Sequence, residues 1–315
     1  MRLTELKGVI PPIATPFDEA GALDLDSLRK LTQHLIAGGV HGIFCLGSTG
    51  ECAALTEEES LSVVETVVEE TAGRVPVLAG ITETSTKRAV RLGRMVVEAG
   101  VQAVVAAPPY YHMHSQQELL GYYRDLAAAL PVPVIAYNVP VLVKTPLEPA
   151  TVETLAREGS IFALKDSGGN SNILREYIMR TKDIPGFTVL TGMEFLVDTA
   201  LQMGAHGSVP GIGNVVPAEY VELYNLCCQG EYVRARELQE RLIKLFNICY
   251  QGSARLSGSS SALSGFKSAL RWLGVIKTAK MAPPMGSLNA EEEERVREIL
   301  VELGFLKQAA QGKEE

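Results

Sequence analysis

A lysine at the end of an apolar run is the residue whose chemistry stands out first. Lys165 directly follows residues 161–164, Ile-Phe-Ala-Leu. A poorly hydrated position of this kind disfavours the charged ammonium, and a neutral amine can attack a carbonyl to form a Schiff base. The lysine could equally pair with a carboxylate such as Asp166 or Glu51. Its position alone leaves both interpretations open.

Two further segments carry polar groups at the ends of apolar runs. Tyr137 lies at the end of the preceding apolar run, 133–138, where its phenol could relay a proton or its ring could simply fill space. Gly47, Ser48 and Thr49 begin a Gly-Ser-Thr-Gly turn. Its hydroxyl and backbone N–H groups suit a small carboxylate, although such a turn is also common without any ligand.

Metal chemistry has weaker support. His112 and His114 could be two ligands of a metal-dependent enzyme, but no third ligand stands out, so we expect no metal and no cofactor. The five cysteines, at 45, 52, 227, 228 and 249, contain no Cys-x-x-Cys pair. They are typical of free thiols in a reducing cytoplasm.

Composition narrows the class of protein. The chain has 315 residues, 46% of them hydrophobic, and 29 basic against 37 acidic side chains give a net charge of −8. These values are typical of a folded globular protein, and the absence of a basic run argues against nucleic-acid binding. No apolar stretch reaches the ~18 residues of a membrane span, and the N-terminus shows no secretory signal. We therefore expect a cytoplasmic protein.

The elements that must position these side chains alternate along the chain. Eight short, almost continuously apolar runs, each followed by a helical pattern, predict strands buried on both faces of a parallel sheet. The runs are 8–15, 42–47, 75–81, 103–109, 133–138, 161–167, 187–192 and 207–211. Eight such units predict an α/β protein with a (β/α)8 TIM barrel, the open doubly wound sheet being the alternative. Chemistry in a barrel lies at the carboxyl ends of the strands, where Ser48, Tyr137 and Lys165 are expected to meet.

The alternation ends near residue 228. Residues 231–250, 263–273 and 290–303 are predicted helices, whereas the Gly/Ser-rich segment 252–261 is predicted to be a turn or mobile loop. The polar tail 308–315 is expected to fray. We therefore predict a barrel domain, 1–228, that carries the active site and a C-terminal helical extension, 229–315, that packs on the barrel or on a partner subunit.

The order of the motifs resembles a known family. Gly-Ser-Thr-Gly-Glu at 47–51, Pro-Tyr-Tyr at 109–111, Tyr-Asn-Val-Pro at 137–140 and Lys-Asp-Ser at 165–167 fall at successive predicted strand ends. This pattern resembles the dihydrodipicolinate synthase / N-acetylneuraminate lyase superfamily of class I pyruvate aldolases, and the resemblance covers nearly the whole chain. It implies a barrel, usually a homotetramer, that binds 2-oxo acids covalently.

The resemblance also implies roles for individual residues. Lys165 corresponds to the Schiff-base lysine and Tyr137 to the proton-transfer tyrosine. Ser48 and Thr49, with Gly47 before them, correspond to the turn that holds the pyruvate carboxylate.

Three further positions follow from the same resemblance. Tyr111 matches a tyrosine that reaches into a neighbouring subunit's site, although ordinary packing would also explain it. Ser208 and Val209 match the end of strand 8, which lines the pocket.

Departures from the family pattern bear on the substrate. Leu142 stands where dihydrodipicolinate synthase has an arginine for the aldehyde's carboxylate, and nearby Lys144 lacks the bidentate geometry of a guanidinium. Glu194 is followed by Phe195, where N-acetylneuraminate lyase has paired acids for sugar hydroxyls.

The predicted function is therefore a class I lyase that makes or breaks a carbon–carbon bond between pyruvate and an aldehyde. A 2-keto-3-deoxy sugar acid or 4-hydroxy-2-oxoglutarate fits the two departures best. Dihydrodipicolinate synthase activity, or a dehydratase or deaminase that uses the same imine, is the alternative within the superfamily. A non-catalytic pyruvate sensor is the alternative of a different class.

Overall fold

Eight parallel strands form the centre of the molecule in the computed structural model, which describes residues 5–307. The predicted frayed tail, 308–315, and the first four residues, on which the absence of a secretory signal was in part judged, lie outside the described residues. The strands run β1 Gly8–Val9, β2 Ile43–Cys45, β3 Val77–Gly80, β4 Ala103–Ala106, β5 Val134–Asn138, β6 Ala163–Asp166, β7 Thr188–Thr191 and β8 Gly207–Ser208.

The sheet closes on itself. Each strand pairs with the next along the chain from β2 to β8, and β8 pairs with β1. The remaining seam lies just beyond β1, where a parallel bridge joins Pro12 to Phe44 of β2. The N–H of Ile13 donates to the carbonyl of Phe44 at 2.9 Å across this seam. The structure confirms the (β/α)8 barrel rather than an open sheet.

All eight predicted strands are present, but they are shorter than the apolar runs. The run 8–15 yields a two-residue strand because Pro11 and Pro12 lack the N–H that a sheet ladder needs. Pro210 has the same effect just after β8. Apolar character at these positions reflects burial, which extends beyond the hydrogen-bonded ladder.

Helices follow the strands around the outside. Their bounds are α1 Leu25–Ala37, α2 Glu57–Thr71, α3 Thr86–Glu98, α4 Gln116–Ala129, α5 Pro140–Val143, α6 Pro149–Arg157, α7 Ser171–Thr181, α8 Val197–Gln202, α9 Pro217–Cys228, α10 Tyr232–Leu245, α11 Gly258–Trp272 and α12 Ala290–Glu302. A capping box begins α2, because Thr56 and Glu59 have the Thr-x-x-Glu spacing and exchange reciprocal hydrogen bonds.

The helical extension differs from the prediction in one segment. The loop predicted over 252–261 is wrong in its last part, because α11 begins at Gly258. The Ser257 hydroxyl accepts a hydrogen bond from the N–H of Ser260, so a serine-rich segment supplies its own N-cap. The predicted helix 231–250 ends as an α-helix at Leu245 and continues as a 3-10 turn, Phe246–Tyr250.

The extension packs against the barrel. The Thr278 hydroxyl donates to the carbonyl of Phe17 at 2.6 Å, and the Lys277 amine lies 3.2 Å from Asp24. The division of the chain at residue 228 into two domains stays a prediction. Within residues 5–307, no helix combines the length and the apolar character needed to cross a membrane.

Two separate clusters make up the apolar core. The larger one fills the space between the sheet and the helices, and the smaller one fills the barrel interior. Interior positions are occupied by large apolar residues such as Ile10, Phe44, Ile135 and Leu190, all at most 2% exposed. This packing gives the carboxyl end of the barrel an apolar floor, on which the polar strand-end residues lie.

Candidate active site

Lys165 and Tyr137 are cross-strand neighbours at the carboxyl end of the barrel. The parallel register of β5 and β6 pairs Tyr137 with Lys165, so both side chains point to the same face of the sheet. They are 7% and 5% exposed. The Lys165 Nζ lies 4.0 Å from the centre of the Tyr137 ring and 4.9 Å from that of Phe44. The amine is therefore enclosed by aromatic surface.

Neither carboxylate considered for Lys165 is paired with it. Glu51 pairs with Lys267, and Asp166 points to the opposite face of the sheet from Lys165. Asp166 accepts hydrogen bonds from the Asn138 amide at 2.7 Å and the Gly168 N–H at 3.1 Å, and burial raises the pKa of its carboxyl. Across residues 5–307, Lys165 has no ion-pair partner. Its amine is thus free to meet a carbonyl carbon.

The Gly-Ser-Thr-Gly segment forms a 3-10 turn, Ser48–Gly50, directly after β2. At Gly47 a side chain would place its Cβ 2.9 Å from the Phe44 ring, so this position needs glycine for space. Leu46 and Glu51, which flank the turn, have left-handed φ values of 54° and 57°. Such backbone is costly for residues with side chains, so surrounding contacts must hold this turn in place.

A cavity of about 620 Å³ lies above these residues. Its walls come from the 47–54 segment, from Tyr137 and α5, and from the extension through α11 and Pro284–Met285. Lys165 borders a smaller apolar cavity beneath, and Phe44 belongs to the walls of both. The only charged side chain among the described walls of the large cavity is Glu51, which is already paired.

The residues expected from the sequence to bind substrate do not all line the same cavity. Leu142 on α5 lines the large cavity and is 47% exposed. Val209 borders the small cavity with Lys165, whereas Ser208 is fully buried in β8. Glu194 turns toward the end of β8, where it accepts from the Ile212 N–H at 2.8 Å.

Glu194 is not among the described walls of the large cavity and hydrogen-bonds to other residues instead. Its Oε1 also lies 3.4 Å from the Tyr220 hydroxyl, which donates to it. Burial raises the pKa of Glu194 to about 7. Its carboxyl therefore changes charge near neutral pH, and its hydrogen bonds brace the loop after β8.

Tyr111 lies apart from the other expected site residues. It is 77% exposed, has a left-handed φ of 89° and contacts His112 edge to face. Its neighbour Tyr110, which the sequence reasoning did not single out, lines the large cavity. His112 and His114, which were considered as metal ligands, belong to this segment, and residues 5–307 contain no cluster of three or more metal-ligating side chains.

Sequence reasoning also missed the contribution of the extension. Gly258, Ala262 and Leu263 of α11 form one wall of the cavity. Lys267 lies within an otherwise uncharged helical segment, Gly-Phe-Lys-Ser-Ala-Leu at 265–270, and this position was the available signal that the lysine needs a buried partner.

A closed parallel barrel with an unpaired, buried lysine beside a tyrosine, both at the carboxyl ends of the strands, is the arrangement expected of an enzyme that works through a Schiff base. The comparisons with known proteins agree. The family profile described as the dihydrodipicolinate synthetase family matches residues 5–303. The chain belongs to this family, which confirms the resemblance seen in its motifs.

Relatives and solved structures match over almost the whole chain. The 4-hydroxy-tetrahydrodipicolinate synthase of Methanopyrus kandleri is 32% identical, with 96% of this chain and 98% of the relative covered. YagE, a prophage protein of the dihydrodipicolinic acid synthase family from E. coli K12 solved in complex with pyruvate, superposes with a TM-score of 0.88 at 30% identity, covering 95% of this chain and 99% of that one. Dihydrodipicolinate synthase from Bacteroides thetaiotaomicron gives a TM-score of 0.89 at 35% identity, covering 94% and 98%.

These findings establish the kind of enzyme. The chain is a class I, pyruvate-dependent aldolase of this family, a carbon–carbon lyase that forms a Schiff base.

Proposed function

We propose that Lys165 condenses with the C2 carbonyl of a 2-oxo acid and that the enzyme then cleaves the acid to pyruvate and an aldehyde, or runs the reverse addition. The observation that carries the proposal is the unpaired Lys165 amine, enclosed at 4.0 Å from the Tyr137 ring. The amine attacks C2 and water leaves, which gives an iminium ion. This cation accepts the electron pair of the C3–C4 bond when that bond breaks.

Tyr137 is the proposed acid–base group. Its hydroxyl first gives a proton to the C2 oxygen, which leaves as water. The phenolate so formed takes the proton of the C4 hydroxyl as the aldehyde leaves and returns that proton to C3 of the enamine, which regenerates the iminium ion. The phenolate recovers its own proton when the iminium ion is hydrolysed. Water then hydrolyses the imine, which releases pyruvate and restores the Lys165 amine. Atoms and charges balance without a metal or an external oxidant.

The carboxylate of the 2-oxo acid is proposed to bind at Ser48 and Thr49. These residues begin the 3-10 turn and line the large cavity. Two hydroxyls and the first N–H groups of a turn are donors suited to a carboxylate, and no cationic side chain is needed for a singly charged group. Gly47, which has no side chain, leaves space for this carboxylate. Val209 and its neighbour Ser208 close the barrel below the substrate.

The walls of the cavity favour a neutral aldehyde. Leu142, Val139, Leu263 and Met285 give its outer part an apolar surface, and none of its described walls carries a positive charge. A second carboxylate would lose its hydration there without a counter-charge. The proposed substrate is therefore a 2-keto-3-deoxy sugar acid rather than 4-hydroxy-2-oxoglutarate, whose aldehyde product, glyoxylate, is anionic.

The names of the curated relatives favour a second candidate, 4-hydroxy-tetrahydrodipicolinate synthase activity. This reaction would use the same imine, but its aldehyde carries a carboxylate. Lys144, the cation nearest in sequence, has an exposed side chain and is not among the cavity walls. A dehydration or deamination through the same imine, or a non-catalytic pyruvate sensor, would leave Lys165 in the same role up to imine formation.

One experiment tests the imine and a second tests the reaction. Borohydride reduction in the presence of pyruvate, followed by peptide mass mapping, is expected to modify Lys165. An adduct on another lysine, or none, would refute the proposal. Pyruvate release from a panel of 2-keto-3-deoxy sugar acids is then expected to exceed release from 4-hydroxy-2-oxoglutarate. Condensation of pyruvate with aspartate semialdehyde as the fastest reaction would favour the second candidate.

We also propose that Tyr111 meets a neighbouring subunit of a homotetramer. Its exposed ring and left-handed backbone support a role outside its own barrel. Light scattering of the native enzyme is expected to give a tetramer, and Tyr111→Ala is expected to lower the rate. A monomer with full activity would refute this assignment.

A further inference from the structure

A buried ion pair joins the helical extension to the turn proposed to hold the carboxylate. Glu51, directly after the Ser48–Gly50 turn, pairs with Lys267 of α11, and the two side chains are 0% and 1% exposed. The second carboxylate oxygen of Glu51 accepts from the Ala282 N–H at 2.8 Å. Lys267 also donates to the carbonyl of Lys280 at 2.8 Å. The pair thus contacts two segments of the extension.

The same turn is held from the barrel side. The Thr15 hydroxyl donates to the carbonyl of Gly50 at 2.7 Å. The Lys267 amine lies 4.4 Å from the centre of the Phe17 ring, and the Thr278 hydroxyl donates to the Phe17 carbonyl. The first barrel segment, the turn and the extension therefore form one network around Glu51.

Within this network, the ion pair acts on the turn through Glu51. Glu51 has left-handed backbone, with φ 57° and ψ 31°, and its N–H donates to the Ser48 carbonyl at 3.1 Å. Left-handed backbone in a residue with a side chain persists only where other contacts impose it. The ion pair is such a contact, and its effect reaches Ser48 across one hydrogen bond.

We infer that Lys267 is a positioning residue for the substrate carboxylate, because through Glu51 it fixes the backbone of Ser48 and Thr49 in the binding conformation. The inference rests on the proposed function, in which these two residues bind the carboxylate. Lys267 itself does not line the cavity. Through Lys267 the extension therefore acts in substrate binding in a second way, besides forming one wall of the cavity.

The test measures adduct formation on Lys165 with two carbonyl probes. Pyruvate carries the carboxylate, and glycolaldehyde does not. The variants are Glu51→Gln, Lys267→Met and the double variant, which carries no unpaired buried charge and is the one best placed to fold. Glu292→Gln is the control, since Glu292 is also buried and paired, with Arg255, inside the extension.

In all three variants the pyruvate concentration for half-maximal borohydride trapping is expected to rise at least tenfold. Trapping by glycolaldehyde is expected to stay within threefold of the native enzyme, and Glu292→Gln is expected to leave both probes unchanged. An unchanged pyruvate requirement in any folded variant, or its return to the native value in the double variant, would overturn the inference. So would an equal loss with both probes, or failure of all three variants to fold, because the pair would then be a general folding requirement. Absence of the pyruvate adduct in the native enzyme would instead remove the proposed function.

Discussion

Leu142→Arg tests whether the outer cavity wall selects a neutral aldehyde. Leu142 lines the cavity from α5 and is 47% exposed, so an arginine side chain can extend into the cavity without filling a packed core position. Leucine and arginine have similar helix propensities, so the change should cost little stability. The substitution supplies the positive charge that the described walls lack.

The expected gain follows from the exposure of the site. A hydrogen bond to a charged group contributes about 1.5–3 kcal/mol when well shielded from water. At a half-exposed position we take roughly 1–2 kcal/mol, which corresponds to about 5- to 30-fold in kcat/KM. The gain applies only to an aldehyde whose carboxylate reaches the guanidinium.

The assay compares the addition of pyruvate to glyoxylate and to glyceraldehyde. The kcat/KM for glyoxylate divided by that for glyceraldehyde is expected to rise about 5- to 30-fold in Leu142→Arg. It should change by less than about threefold in Leu142→Gln, which has a polar side chain without the charge. An unchanged ratio in an arginine variant that still uses glyceraldehyde would show that this wall does not contact the aldehyde.

Three further predictions concern the remaining site residues. Lys165→Met should abolish the borohydride-trapped pyruvate adduct and turnover while the protein stays folded; residual adduct at another lysine would contradict the assignment. Tyr137→Phe should retain the adduct but lose roughly 10²–10⁴ in kcat, because a phenyl ring cannot accept the C4 hydroxyl proton. Burial raises the pKa of Glu194 to about 7, so the folded state retains a proton that the unfolded chain releases, and its contribution to stability falls as pH rises from about 4.5 to about 7. Glu194→Gln, neutral throughout, should therefore gain in Tm relative to the native enzyme between pH 5 and pH 8, and a difference independent of pH would refute the ionisation.

Local patterns were enough to predict the barrel and several helix ends. Eight buried runs separated by helical segments require a parallel sheet covered on both faces, and chain order then gives the neighbours of each strand. The Thr56 capping box was predictable because its hydrogen bonds join residues three apart. The predicted strand ends were less accurate. An apolar run shows which residues are buried, whereas the hydrogen-bonded ladder of a sheet ends where a proline has no N–H to donate.

The position of Lys165 beside Tyr137 was likewise implied by the sequence, since both end neighbouring strands of one barrel. Its freedom from an ion pair was not. From the sequence, Glu51 and Asp166 were equally possible partners of Lys165. Only the structure shows that Glu51 pairs with Lys267 and that Asp166 accepts a hydrogen bond from Asn138. The wall from α11 was missed because the first part of this helix was predicted to be a loop, and nothing in the sequence placed the helix against the cavity.

The sequence by itself determined the family, the barrel and the lysine and tyrosine at its mouth, because these follow from periodicity and from motifs confined to a few residues. The tertiary structure alone decided which charges are paired and which segments wall the cavity. The Glu51–Lys267 pair, for example, joins residues more than 200 positions apart. No local pattern encodes such a contact, because its energy exists only once both side chains are buried together.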